Sequence, residues 1–107
     1  MDNIQGFFWK DDPDAYFLGH QFEEIFKSRI YAPYLEKLKD PIVLDIGACI
    51  GLFTLYAHKY SSKIIALEPS KEHFEVFMHM LTFNHMLDKV IPIQKALYIE
   101  NRTHVLW

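Results

Sequence analysis

The sequence predicts an α/β fold: part of a Rossmann-like, doubly wound parallel sheet with strands in spatial order 3-2-1, N-terminal helices, and truncation before a fourth strand. Three observations carry this. Two short apolar runs, Ile42-Val43-Leu44 and Ile64-Ile65-Ala66-Leu67, are rich in β-branched residues and too short for helices. Stretches with helical apolar spacing separate these runs from each other and from a third, beginning at Val90. A loop bounded by Gly47 and Gly51 lies where the first run gives way to helix.

The 107 residues, half of them apolar and 16% aromatic, suffice for one domain and exclude disorder. Such a chain buries roughly two thirds of its unfolded surface. Eleven basic against 14 acidic residues leave a net charge of −3, which offers no electrostatic footprint for a nucleic acid. The lone Cys49 forms no internal disulfide and fits a reducing compartment. The start, Met1-Asp2-Asn3-Ile4-Gln5, lacks the layout of a secretory signal. The most apolar stretch, Ile42 to Ala57, is interrupted by Asp45, Gly47, Gly51 and Thr54, so no membrane span is expected and a cytoplasmic location is.

Residues 1–20 read as an irregular lead-in, because Gly6, the Lys10-Asp11-Asp12-Pro13-Asp14 cluster and Gly19 break any period. Its aromatics are expected to pack onto the domain, which spans 21–107. Phe22, Ile25, Phe26 and Ile30 then recur at i, i+3, i+4 and i+8, the pattern of an amphipathic helix. Pro33 suits the first turn of a second helix that turns Tyr34, Leu35 and Leu38 inward and ends at Asp40-Pro41. Ile42-Val43-Leu44 reads as a strand buried on both faces. Phe53, Tyr56, Ala57 and Tyr60 mark the next helix, closed by Ser61-Ser62, and Ile64 to Leu67 reads as a second doubly buried strand. Ser70 is a candidate N-cap for a helix that presents Phe74, Phe77, Met78 and Leu81 and stops between Asn84 and Asp88. Val90 to Tyr98 reads as a third strand.

Strand, helix, strand, helix, strand is a parallel unit with right-handed crossovers. Pro92 cannot donate to a ladder, so its strand belongs at an edge. Both crossover helices then cover one face, and the helices of 21–39 are expected to cover the other. The first strand is left with a free edge, which is a surface for pairing with a second copy.

The Gly47 to Gly51 loop follows the C-terminal end of a strand, where ligands of open α/β sheets bind. Its G-x-x-x-G spacing departs from the G-x-G-x-x-G of dinucleotide sites, and no G-K-[ST] follows, which excludes a P-loop. Glu68 ends the second strand, 23 residues after Asp45, where an acid accepts hydrogen bonds from ribose hydroxyls. Asp45 adds negative charge beside the loop. A ligand with an adenosine, an ammonium and a sulfonium, and without phosphate, fits this set: S-adenosylmethionine.

Val43-Leu44-Asp45-Ile46-Gly47-Ala48-Cys49-Ile50-Gly51-Leu52-Phe53-Thr54, followed by Ile65-Ala66-Leu67-Glu68-Pro69-Ser70 and by Asn84, resembles the front half of class I S-adenosylmethionine-dependent methyltransferases, most closely the FkbM type. That family typically shows V-L-D-I-G-A-N-I-G and then E-P, so Cys49 stands where it usually has asparagine. The resemblance covers about residues 30–107 and implies that Asp45, Gly47, Ala48 and Gly51 line the methionine part of the cofactor. It implies that Glu68 binds the ribose, that Pro69 borders the adenine, and that Ala96 lies on the adenine side. It further implies a seven-stranded sheet whose acceptor-binding half follows, with O-methyl transfer to a small molecule or saccharide. No catalytic residue is assignable.

Other features carry less. The six histidines include no H-E-x-x-H, and His73, His79 and His85 do not fall one helical turn apart, so no metal is expected. Cys49 reads as a small loop residue rather than a low-pKa thiol. Met78, Met80 and Met86 with Phe74, Phe77 and Phe83 read as core. Two rival functions stand beside the methyltransferase: a noncatalytic module that associates through the first-strand edge, and an NAD-binding fragment, which the loop spacing disfavours.

Overall fold

Local sequence signals account for most of the elements. The computed structural model describes residues 3–4, 7–8 and 15–97, with side chains from residue 19 onward. A short antiparallel pair, β1 (Asn3–Ile4) and β2 (Phe7–Phe8), precedes α1 (Ala15–Phe22), which runs into a π-helical segment, Glu23–Lys27. There follow α2 (Ala32–Leu35), β3 (Ile42–Ile46), α3 (Leu52–Ala57), β4 (Lys63–Leu67), α4 (Lys71–Phe83) and β5 (Val90–Ile93). The predicted strand residue Tyr98, the stretch Thr103 to Trp107, the Asp11 to Asp14 loop and the packing of the lead-in aromatics lie outside the described residues.

β3 pairs with β4 in parallel, Ile42 opposite Lys63 through Ile46 opposite Leu67. β4 pairs with β5 in parallel, Ile64 opposite Val90 through Leu67 opposite Ile93. The order β3-β4-β5 is the predicted 3-2-1 read from the other side. Pro92 thus stands on an edge strand, and among the described strands β3 forms the opposite edge.

Alternation of side chains divides the sheet into two unlike faces. Val43, Asp45, Ile64, Ala66 and Val90 are buried, together with Leu52, Leu55 and Ala57 of α3 and Phe77, Met80 and Leu81 of α4. On the other face Ile42 is 71% exposed, Leu44 56%, Ile46 53% and Ile91 48%, although all are branched aliphatics. The expectation of strands buried on both faces is therefore corrected, as is that of helices 21–39 covering the second face. Aromatic contacts hold those helices beside α3 instead. Phe26 meets Tyr56 edge-on at 5.4 Å, and Tyr31 meets Phe53 at 4.8 Å.

The N-terminal half departs from expectation in further ways. Helix begins at Ala15 with Gly19 inside it, since one glycine costs a helix only about 1 kcal/mol. The π-helical Ser28 N–H to Glu23 O bond, 2.8 Å, shifts the helical register, so Phe22 and Ile25 are buried but Ile30 is not. In the single turn of α2, Leu35 is buried and Tyr34 exposed, and Leu38, past its end, is exposed as well. β5 ends at Ile93, short of the predicted Tyr98, which leaves Ala96 beyond the strand.

The ends of α4 follow the sequence closely. The Ser70 hydroxyl accepts from the His73 N–H at 3.4 Å. At the other end Met86 N–H donates to Leu81 O and His85 N–H to Thr82 O, a Schellman motif with His85 in the left-handed region, φ 55°.

Candidate cofactor-binding site

The site begins where β3 stops. Past Ile46 the chain passes through three left-handed residues, Gly47 (φ 79°), Cys49 (φ 56°) and Gly51 (φ 98°). Glycine adopts this conformation without steric penalty, whereas Cys49 bears about 1–2 kcal/mol for it. The two glycines serve different ends. A Cβ on Gly47 meets nothing within 4 Å, whereas one on Gly51 stands 2.4 Å from Phe77 Cδ1 and 2.5 Å from Met80 Cε. Gly51 is what lets α4 lie against the loop.

Glu68 fixes the loop from the neighbouring strand. Its Oε1 accepts from the Cys49 N–H at 2.7 Å and its Oε2 from the Ser70 N–H at 2.8 Å, so one buried carboxylate joins the glycine loop to the turn that starts α4. The N–H groups of Gly47 and Ala48 both donate to Leu67 O at 2.8 Å. A carboxylate has about four lone-pair sites, so each Glu68 oxygen keeps one for a further donor.

Asp45 is buried beside this loop, and its Oδ2 accepts from the Thr54 hydroxyl at 2.6 Å. Burial pushes its carboxyl above the ordinary range, the Thr54 bond pulls it back, and the charge of Glu68 adds to the rise. A cation placed next to Asp45 would favour the ionised form.

A cleft of about 480 Å³ opens against Asp45, Gly47 and Ala48. Leu44, Ile46 and Phe53 supply apolar wall, and His20, Gln21, Glu24, Ile25 and Tyr31 close the N-terminal side. The volume falls within the range usual for small-molecule sites. Among the predicted site residues, the structure thus brings Asp45, Gly47 and Ala48 into one cleft wall and ties Glu68 to the same loop. Gly51 faces α4, Pro69 lies in the turn spanned by the Glu68 to Ser70 bond, and Ala96 lies outside regular structure.

The residues that sequence reasoning missed are those of the N-terminal wall and Thr54. Thr54 had a legible signal, a hydroxyl on the apolar face of Leu52–Ala57, fully buried. The wall residues had none: they come from α1, the π-helical segment and the turn before α2, and apolar spacing does not encode their meeting at one cleft.

The cleft fits S-adenosylmethionine in kind: a buried acid, Asp45, for a cation, an open backbone at Gly47, and a second acid across the loop. No helix among the described residues is long and apolar enough to cross a membrane.

No family model matches the chain. The chain is 36% identical over 78 residues to the methyltransferase sdnD of Sordaria araneosa, a match covering 71% of this chain and 30% of that protein. It is 28% identical to the Methanocaldococcus jannaschii tRNA m1G37 methyltransferase, with a TM-score of 0.52 over 60% of this chain and 20% of the other. It is 25% identical to Trm5 of the same organism, solved in complex with adenosine, with a TM-score of 0.55 over 66% of this chain and 22% of the other. The chain therefore spans less than a third of the length of each of these proteins. Its parallel three-stranded sheet, crossover helices and strand order make it a partial Rossmann-like methyltransferase fold.

Proposed function

We propose that this chain forms the cofactor-binding part of an S-adenosylmethionine-dependent methyltransferase of the FkbM type. The observation that carries this is the junction of two neighbouring parallel strand ends: Asp45 in the cleft, Glu68 on the adjacent strand, and the glycine loop between them held by the Glu68 to Cys49 N–H bond. The likeness to methyltransferases in sequence and in fold supports it.

When bound, S-adenosylmethionine supplies a methyl group on a cationic sulfonium, and its displacement depends chiefly on in-line positioning. Asp45 gives the methionyl end a negative partner, Ala48 and the open Gly47 give it room, and Glu68 takes the ribose hydroxyls on its remaining lone pairs. The activity proposed for the whole protein is O-methyl transfer to a small molecule or saccharide. A net charge of −3 favours such an acceptor over the tRNA substrate of one structural relative.

Isothermal titration with S-adenosylhomocysteine is the test. Saturable heat, with weaker binding of adenosine alone, is the expected result; no heat at millimolar ligand refutes the assignment.

A further inference from the structure

An amino-acid end carries two opposite charges, an ammonium and a carboxylate, and the cleft is built unequally toward them. Asp45 of β3 and Glu24 of the π-helical segment both line it, and among the described residues no lysine or arginine does. The other side-chain donors there, those of His20, Gln21 and Tyr31, include no permanent cation. A carboxylate entering the cleft therefore meets like charge from two elements, and charge acts across several ångströms without a hydrogen-bond geometry.

Backbone N–H groups would offset this if the loop offered them, as anion-binding glycine loops do. This loop uses its amides internally. The Gly47 and Ala48 N–H groups both donate to Leu67 O at 2.8 Å, Cys49 N–H donates to Glu68 Oε1 at 2.7 Å, and Gly51 N–H donates to Ala48 O at 2.9 Å. Ile50, the remaining residue of the loop, is buried, as are Leu52 and Thr54 in the first turn of α3. The same bonds that fix the loop's shape thus leave it without an anion cradle.

We propose that the site reads the amino-acid end of its cofactor through the ammonium alone and works against the carboxylate, so that its preferred ligands are S-adenosyl compounds whose methionyl carboxylate has been removed. This rests on the cofactor assignment above and narrows it from S-adenosyl compounds as a class to their aminopropyl members. The sulfonium, where present, adds a second positive charge that suits the same pair of acids.

Isothermal titration of the full chain with three thioethers tests this: S-adenosylhomocysteine, its decarboxylated form, and 5′-methylthioadenosine, which has neither charge. The decarboxylated form should bind about tenfold more tightly than either of the others, and those two should lie within about threefold of each other, because the two charges of S-adenosylhomocysteine offset. Glu24 is exposed, so Glu24→Gln should leave the melting temperature within about a degree of the wild type. It should reduce the tenfold preference to about threefold, weakening the decarboxylated ligand and tightening S-adenosylhomocysteine. Asp45→Asn should shift the preference in the same direction. S-adenosylhomocysteine binding as tightly as its decarboxylated form would overturn the proposal and show that a donor for the carboxylate reaches the cleft. A preference unchanged in both variants would overturn it as well. Either result leaves the cofactor assignment intact, whereas a wild-type chain that binds none of the three ligands overturns both.

Discussion

Gly47 and Gly51 share a backbone conformation and differ in what surrounds them, so the same substitution separates strain from crowding. Gly47→Ala should cost about 1 kcal/mol, the left-handed penalty alone. Gly51→Ala adds overlap with Phe77 and Met80 and should cost about 3 kcal/mol or more. Denaturant midpoints at unchanged m-value would measure the difference, and equal costs would contradict the packing described for α4. Asp45 makes a separate prediction about pH. Burial raises its folded-state pKa, so its contribution to stability is full below the unfolded carboxylate value and is lost as pH rises through the raised one. Asp45→Asn should remove that decline and be no less stable at neutral pH, since asparagine can still pair with Thr54. Affinity for a ligand ammonium should rise with pH over the same window in the wild type and lose that dependence in Asp45→Asn. Melting and binding followed from acid to neutral pH check both signs.

At the scale of elements, the end of α4 holds a correctable strain. His85 occupies the left-handed position of the Schellman motif, where glycine is the usual residue. It is exposed, so His85→Gly should stabilise by about 0.5–1 kcal/mol, raising the melting temperature by a few degrees. Elements with strong local signals were legible from sequence. The three strands, their order, the Ser70 cap and the stop at Asn84 follow from apolar runs, Pro92 and a capping residue. What was not legible is non-local. The π-helical segment carries no local sequence signal, and the cleft wall depends on Tyr31 and Phe26 finding Phe53 and Tyr56, pairings that no spacing encodes. The site divides in the same way: the loop and Asp45 were readable because strand-to-helix glycines carry a backbone requirement, whereas Gln21 and Glu24 were not.

For the whole molecule, the two faces of the sheet set the behaviour in solution. Parallel sheets are ordinarily covered on both faces, yet here Ile42, Leu44, Ile46 and Ile91 lie exposed beside half-buried Ile65, Leu67 and Ile93. A contiguous apolar patch of this kind promotes association. Ile42→Thr combined with Ile91→Thr keeps β-branched residues in the strands and should reduce self-association in light scattering, with stability changed by only about 0.5 kcal/mol per site. An unchanged scattering profile would show that the isolated chain does not associate through this face.

The double fixing of the glycine loop, by Glu68 at Cys49 and by the rings of α4 at Gly51, bears on how quickly a ligand is taken up. A loop already held in its binding shape has no slow rearrangement to complete, so stopped-flow association should be a single exponential whose rate grows linearly with ligand concentration. A hyperbolic plateau would instead reveal a gating step, and the N-terminal wall of the cleft would be the part that moves.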